Sequence, residues 1–349
     1  MQTNIIGWDI GGAHLKAALI NELGEALAII QHPCPLWKGI DQLQQAVQAV
    51  TAELPKGPYR HAITMTGELV DNFESREQGV QHIVDAMSQY FPGDLLWIYA
   101  GVSGFIRAGS VLPEHSESIA SANWLASASY AARNVDSGLF IDIGSTTTDI
   151  IALTKGKINA KGFTDYKRLI SEELIYTGII RTPVMAIAQT ALFKGVKIGL
   201  MAEYFATMAD VYRVTGELDE AHDQNGTADG GEKTVSASAR RLSRMIGHEV
   251  DHELPECWRH FALYLRNQQL HKIQMGCERQ ISRIRLPSDK PFVGAGVGRF
   301  LVKQLAANLG HPYLDFNELF EQSLVSSPMS AADCAPAIAV AYLAQAQFK

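Results

Sequence analysis

Short apolar runs alternate with helical stretches along the first third of the chain. Ile5 to Ile10 reads as a buried strand that stops at Gly11-Gly12. Leu15 to Ile20 and Ala26 to Gln31 read as the next two strands, joined by a turn over Asn21 to Gly24. Apolar residues at helical spacing follow over Asp41 to Leu54 and Glu77 to Tyr90, with strand-like runs at His61 to Thr66 and Leu95 to Ala100. Ser116 to Arg133 reads as one long Ala/Ser-rich helix.

The opening pattern then returns. Gly138 to Ile143 predicts a strand ending at Gly144, Thr147 to Leu153 a second, and Ile158 to Gly162 a third beyond a Lys155-Gly156-Lys157 turn. A repeated strand–glycine turn–strand–hairpin–strand unit predicts two duplicated α/β halves: a first domain over 1–135 and a second over 136–349. The second carries a helical insertion around 203–285. A polar loop from His222 to Glu232 interrupts it and reads as a mobile flap or exposed insertion. Pro291 to Val293 is a short strand, followed by Gly294 to Gly298 and a helix to Leu309. The closing apolar helix, 332–347, is expected to pack back on the first domain.

Each copy of the unit carries a carboxylate at a strand end followed by glycine. The first reads Asp9-Ile10-Gly11-Gly12-Ala13-His14-Leu15-Lys16, the second Asp142-Ile143-Gly144-Ser145-Thr146-Thr147-Thr148-Asp149. Glycines let the backbone approach a ligand and turn N–H groups toward an anion. A strand-end carboxylate can hold a hydrated Mg²⁺ or orient a nucleophile. Hydroxyls such as those of Ser145 to Thr147 donate to phosphate oxygens without adding charge. Either motif alone is also a plain hairpin; the pair, a domain length apart, points to a duplicated phosphate site. The G-x-G-x-G run at Gly294 and Gly296 lacks the spacing of a dinucleotide fingerprint and an opening βαβ unit. It reads as a glycine turn laid against a nucleoside or phosphate.

Composition narrows the partners. Hydrophobic residues make up 47% and charged ones 19%, as in a globular protein. A net charge of −7 without a Lys/Arg run offers nothing to a nucleic-acid backbone. The four cysteines show no C-x-x-C spacing, against zinc or thioredoxin chemistry. The apolar runs are too short and broken to span a bilayer, and the opening residues lack the regions of a signal peptide. The expectation is a cytoplasmic protein that binds neither nucleic acid nor membrane; its oligomeric state is left open.

Four more segments complete the pattern: Met65-Thr66-Gly67-Glu68-Leu69, Ser121-Ala122-Asn123-Trp124, Tyr176-Thr177-Gly178 with Arg181-Thr182-Pro183, and Ala206 to Tyr212. Together with the glycine motifs they resemble the acetate/sugar kinase–Hsp70–actin superfamily over essentially the full length. More closely they resemble its hydantoinase A/5-oxoprolinase-related branch. Within it they resemble the group found with tetrahydromethanopterin-linked one-carbon metabolism, whose archaeal members are condensing enzymes of methanofuran biosynthesis. The resemblance implies a duplicated RNase H-like (actin/hexokinase/Hsp70-type) α/β fold of two domains with an interdomain cleft.

It also implies a diphosphate-releasing alkyl transfer, from a furan-methyl diphosphate to a tyramine- or tyrosine-type phenol. The phenol, with an ordinary pKa of about 10, needs a base or nearby cation to attack at neutral pH. In this reading Asp9, Glu68 and Asp142 are catalytic, Asp9 and Asp142 also holding Mg²⁺ and Glu68 serving as the phenol's base or as a metal partner. Gly11, Gly12, His14, Gly144, Ser145, Thr146, Thr147, Gly294 and Gly296 bind phosphate; Asn123, Arg181 and Arg240 bind substrate.

One departure weakens ordinary ATP γ-phosphate transfer: Ala13, His14 and Leu15 stand where kinase members carry a hydroxyl. His14 is either a phosphate donor or an exposed turn residue. Arg240 shares a helix face with Arg244, a face that meets either diphosphate or solvent. His248 and His252 lack the glutamate of H-E-x-x-H, so no zinc is expected there. The alternatives are an ATP-dependent kinase or hydantoinase/oxoprolinase-type hydrolase, supported by the hydroxyl run from Ser145, and a nucleotide-responsive regulator without catalysis.

Overall fold

A computed structural model of the chain describes residues 4–92, 95–250, 255–320 and 329–348. The first half comprises β1 (Asn4–Ile10), β2 (His14–Ile20), β3 (Ala26–Pro33), α1 (Asp41–Glu53), β4 (Tyr59–Met65), α2 (Arg76–Tyr90), β5 (Leu96–Tyr99), β6 (Phe105–Arg107), α3 (Ser116–Ile119) and α4 (Asn123–Asn134). Its sheet runs β3-β2-β1-β4-β5-β6. β1 pairs antiparallel with β2 and parallel with β4, and α2 is the crossover between the parallel neighbours β4 and β5. Trp8, Ile10 and Leu15 from the strands meet Val47, Val50 and Ile83 from the helices in one core. The single helix expected over Ser116 to Arg133 is broken. α3 ends at Ile119 and α4 starts at Asn123, with Ser121 between them at φ 51°, a conformation no helix accommodates.

The second half comprises β7 (Gly138–Ile143), β8 (Thr148–Thr154), β9 (Lys157–Ile158), α5 (Asp165–Ser171), β10 (Leu174–Ile175), β11 (Thr190–Phe193), β12 (Val196–Gly199), α6 (Met208–Thr215), α7 (Val235–Arg244), α8 (Pro255–Ile284), β13 (Phe292–Ala295), α9 (Arg299–Leu309), β14 (Tyr313–Asp315) and α10 (Ala335–Phe348). Its sheet runs β10-β8-β7-β13-β14, with β9 paired to β8. The third strand expected over Ile158 to Gly162 is reduced to Lys157–Ile158, and Leu174–Ile175 supplies the other partner of β8. Beyond Asn159 the chain leaves β8.

The duplication extends to individual hydrogen bonds. The Gly11 N–H donates to the His14 carbonyl and the Gly144 N–H to the Thr147 carbonyl, each at 2.9 Å. The Ile10 carbonyl accepts the Thr66 N–H at 2.9 Å, and the Ile143 carbonyl accepts the Gly298 N–H at 2.8 Å. β1-β2-β4 and β7-β8-β13 are therefore equivalent triplets, and the late glycine run holds the place that Thr66-Gly67 holds in the first half.

The chain forms two compact units: Met1–Phe140 with Ile151–Lys167 and Leu314–Lys349, and Ile141–Ile150 with Arg168–Tyr313. In the first unit, α10 covers the face of the sheet formed by β1, β2 and β4. Two of its alanines lie against β1: a Cβ at Gly7 would run into the Ala337 carbonyl and Ala341. Glycine against alanine lets the helix backbone rest on the strand. With both faces covered, β1 is apolar nearly throughout.

In the second unit the polar loop around 222–232 is pinned, not a mobile flap. Arg213 donates to Glu220 at 2.7 and 2.8 Å and to Asp223 at 2.6 Å. Arg241, fully buried, donates to Asp210 at 2.8 Å, to Asp229 at 3.1 Å and to the Glu232 carbonyl at 3.1 Å. The loop reads as mobile because it is polar, but its acids are the partners of buried arginines on α6 and α7. Among the described residues no helix is long and apolar enough to cross a membrane.

Candidate active site

Glu68 leaves β4 on a single 3-10 turn, Gly67–Leu69. The fold grips this turn through glycines. A Cβ at Gly79 of α2 would lie 2.8 Å from the Glu68 Cα, and one at Gly67 would meet Leu36 at 2.7 Å. Glu68 is therefore fixed and only 1% exposed. Ser121 Oγ stands 2.9 Å from Glu68 Oε1 and 3.2 Å from Asp165 Oδ2, and Arg76 donates to Asp165 Oδ2 at 2.8 Å. One hydroxyl hydrogen can serve only one of the two carboxylates at a time. Glu68 Oε2 is buried with no hydrogen-bond partner among the described residues. Burial raises the Glu68 pKa above the ordinary carboxylate range. Its backbone and Ser121 hydrogen bonds and the Arg76 charge oppose the rise, and the Asp165 charge adds to it.

Ser121 also lines a cavity of about 280 Å³ in the first unit, with Trp124, Leu125, Phe163 and Thr164. The Trp124 and Phe163 rings lie 6.2 Å apart at 43°. Glu68, expected beside the binding site, lies behind Ser121 and does not line the cavity. Asn123, expected on the substrate, does not line it either; its Oδ1 accepts the Trp124 N–H at 2.7 Å at the start of α4. Ser121 is the residue that sequence reasoning missed as part of the site.

The first glycine loop follows Asp9, which is 5% exposed at the end of β1. The Gly11 N–H closes the hairpin, so among the described residues the loop N–H groups with no backbone acceptor are those of Gly12 and Ala13. His14 is not an exposed turn residue: it is the first residue of β2 and is buried.

The second loop has the same arrangement. The Gly144 N–H and the Thr147 carbonyl close the hairpin, leaving the N–H groups of Ser145 and Thr146. The segment 177–181 wraps the loop from behind. Ile179 N–H donates to the Gly144 carbonyl at 3.1 Å and Arg181 N–H to the Ser145 carbonyl at 2.9 Å. A Cβ at Gly178 would run into Ser145 and Thr146. Half-buried Arg181 is thus tied to the loop through its backbone. Behind it, Gln269 donates to Thr177 Oγ1 and the Gly178 carbonyl, both at 2.8 Å, and accepts from the Tyr212 hydroxyl at 2.6 Å. Gln269, on α8, carried no motif in the sequence.

Gly296, at φ 80°, packs on the same loop: a Cβ there would run into Asp142 and the Ile143 carbonyl. Gly294 is inside β13, not in the turn, and makes room for the Tyr313 ring, 2.6 Å from where its Cβ would be. Arg240 lies on the exposed face of α7, while its neighbour Arg241 is the buried one. Sequence spacing puts Arg240 and Arg244 on one face but does not say which face is buried.

Among the described residues no group of three or more His, Cys, Asp or Glu side chains forms a metal cage; His252 lies outside those residues. Asp9 and Asp142 each offer a single hard oxygen ligand at a strand end beside a glycine loop. Such a donor set suits Mg²⁺ that keeps water and substrate phosphate as its other ligands.

The hydantoinase/oxoprolinase family model matches residues 60–341. A protein of Methanocaldococcus jannaschii named (4-{4-[2-(gamma-L-glutamylamino)ethyl]phenoxymethyl}furan-2-yl)methanamine synthase is 29% identical over 297 residues, 85% of this chain and 87% of its own. A protein of the same name from Methanococcus vannielii is 34% identical over 125 residues, 36% of this chain and 56% of its own. A nucleotide-free structure of acetone carboxylase aligns with 98% of this chain and 70% of its own at a TM-score of 0.58 and 11% identity. That likeness is one of fold, and the duplicated RNase H-like α/β architecture is shared.

Proposed function

The chain belongs to the hydantoinase/oxoprolinase family, and we propose that within it this enzyme condenses a furan-methyl diphosphate with a tyramine- or tyrosine-type phenol, releasing diphosphate, in the biosynthesis of a methanofuran-type one-carbon carrier. It is an enzyme of the transferase type, as its synthase relatives are. The observation that carries the reading is the buried Glu68–Ser121 pair on an aromatic-walled cavity, in a chain related over most of its length to a synthase whose name contains a phenoxymethyl-furan linkage.

In this reaction the phenol oxygen forms the new bond to the furan methylene carbon. The old carbon–oxygen bond breaks, with its electron pair leaving on diphosphate. The phenol proton passes to Ser121 Oγ as the Ser121 hydrogen moves to Glu68. A carboxylate whose pKa burial has raised is the stronger base toward a phenol. Arg76 and Asp165 hold Ser121 from the other side. Charge builds on the departing diphosphate, so fixed donors there lower the barrier. Each unit offers such donors by itself: the N–H groups of Gly12 and Ala13 in the first, and the N–H groups and hydroxyls of Ser145 and Thr146 with Arg181 in the second. Asp9 in the first unit and Asp142 in the second are each a carboxylate suited to Mg²⁺, which would neutralise diphosphate charge when bound. The kinase or hydrolase reading is not favoured, because the curated relatives are named as synthases.

The test is mass spectrometry after incubation with the furan-methyl diphosphate and an acceptor carrying ¹⁸O in its phenol. The label is expected in the ether product. Label in phosphate or diphosphate, or no ether, overturns the proposal.

A further inference from the structure

The second glycine loop is held from behind by a buried chain of hydrogen bonds that the transfer chemistry does not use. Its members, Tyr212 on α6, Gln269 on α8 and Thr177 and Gly178 beside the loop, all lie in the second unit. Tyr212, Gln269 and Thr177 are fully buried. The Gly178 carbonyl can only accept, so the Gln269 amide nitrogen faces it at 2.8 Å and the amide oxygen faces the Tyr212 hydroxyl at 2.6 Å. Burial pushes the Tyr212 phenol far above its ordinary pKa, which keeps that hydroxyl a donor. The neighbouring groups are matched too. Thr182 Oγ1 accepts the Gly178 N–H at 2.8 Å, and Thr148 Oγ1 donates to the Thr177 carbonyl at 2.7 Å. Turning the Gly178 peptide would strip buried groups of these partners. The peptide is also pressed on the loop: a Cβ at Gly178 would lie 2.4 Å from the Thr146 nitrogen. On its other side Tyr212 meets the Phe300 ring of α9 edge-on, centroids 5.6 Å apart. The turn that opens α9 donates through the Gly298 N–H to the Ile143 carbonyl at 2.8 Å. Tyr212 therefore adjoins both supports of the loop.

We infer that Gln269, oriented by Tyr212, is a positioning residue for anion binding: it locks the 177–181 segment, and through it the Ser145 and Thr146 N–H groups, in one presentation to a diphosphate. The inference deepens the alkyl-transfer reading and rests on it for the loop's role as a phosphate site. Donors fixed before the ligand arrives cost no reordering when it binds. The pair's contribution therefore appears as affinity and not only as stability.

The test compares Gln269→Leu, Tyr212→Phe and the double variant with the parent chain, by calorimetric binding of inorganic diphosphate with Mg²⁺, melting temperature, and hydrogen exchange without ligand. Gln269→Leu leaves the Gly178 carbonyl and the Tyr212 hydroxyl buried and unmatched. It should lower the melting temperature and bind diphosphate about tenfold more weakly. Tyr212→Phe keeps the Phe300 contact and both Gln269 donations, and should cost about threefold or less. Adding Tyr212→Phe to Gln269→Leu removes one unmatched group, so part of the lost melting temperature returns. Affinity should stay about tenfold down, because Gly178 still lacks its donor. Exchange of the Gly144, Ile179 and Arg181 amides, which close or back the loop in the parent, should speed up in both chains carrying Gln269→Leu, with the α9 amides as the folding control. Parent-like diphosphate affinity in Gln269→Leu, affinity that returns together with the melting temperature in the double variant, or unchanged exchange at those amides each overturns the inference. A parent chain that binds no diphosphate would count against the phosphate reading of the loop, and the exchange rates would still decide whether Gln269 holds it.

Discussion

Glu68 carries opposite consequences for stability and activity. Its pKa is raised in the folded chain by burial, so the folded state holds that proton more tightly than the unfolded state. The ionised form is therefore a cost that is absent at low pH and grows as pH rises through the folded pKa. Glu68→Gln keeps the shape and removes the charge. It should slow ether formation by about 10²–10⁴-fold, the usual loss for a general base. The melting temperature should rise relative to the parent at pH 8 more than at pH 5. A variant melting lower than the parent at pH 8 would falsify the account of the buried charge. Raising the pH should partly restore its rate, as phenolate forms without a base. Gly296→Ala makes the complementary case. The residue needs φ 80° and adjoins Asp142, so an added methyl strains the backbone and pushes on the second loop. A loss of about 1–3 kcal/mol in urea unfolding is expected, along with weaker diphosphate binding. The strand-end glycine turns were legible because the carboxylate–glycine pattern recurs a domain length apart, where either copy alone would be a plain hairpin. Ser121 was not, because nothing in an Ala/Ser-rich stretch marks where the chain leaves the helix.

At the scale of elements, the helical region of the second unit shows what periodicity leaves out. It places Arg240, Arg241 and Arg244 on a helix but does not say that Arg241 is fully buried among Asp210, Asp229 and Ser238. Breaking a buried ion network by removing one member leaves the rest uncompensated. Arg241→Ala should therefore cost about 3–5 kcal/mol and make the 222–232 loop protease-sensitive. Arg240→Ala, on the exposed face, should do neither; denaturant titration and limited proteolysis read both. A second element-scale test concerns β1 and β4. His61 accepts from Trp8 at 3.2 Å and stacks on Phe91 at 3.7 Å, and burial holds its pKa down to about 4. The unfolded chain takes up that proton near pH 6.5. The neutral ring's contribution is thus complete above about pH 6.5 and is lost as pH falls toward 4. It amounts to at most about 3 kcal/mol. Urea unfolding at pH 7 and pH 4.5 should show that slope, flattened in His61→Phe.

Across the whole molecule, the duplication was legible because its signal is local: a carboxylate, a glycine and a hairpin in each half. The closing apolar helix was expected on the first domain, although its pattern does not say which strands it covers. That cover is extensive. α10 lies along β1, β2 and β4, and the Tyr342 hydroxyl donates to the Gly24 carbonyl, 318 residues away. Ending the chain before α10 should leave the first unit unfolded by circular dichroism while residues 168–313 keep their protection from hydrogen exchange; a cooperative, native-like first unit in the shortened chain would count against this.

The same contact sets an order of events during synthesis. A ribosome adding roughly 10 residues per second delivers β1 about half a minute before it delivers the helix that covers it. Through that interval one face of β1 has no cover of its own, and a chaperone that binds apolar segments has its longest opportunity there. The helical region is made in between, and belongs to a separate compact unit that can fold while β1 still waits for α10.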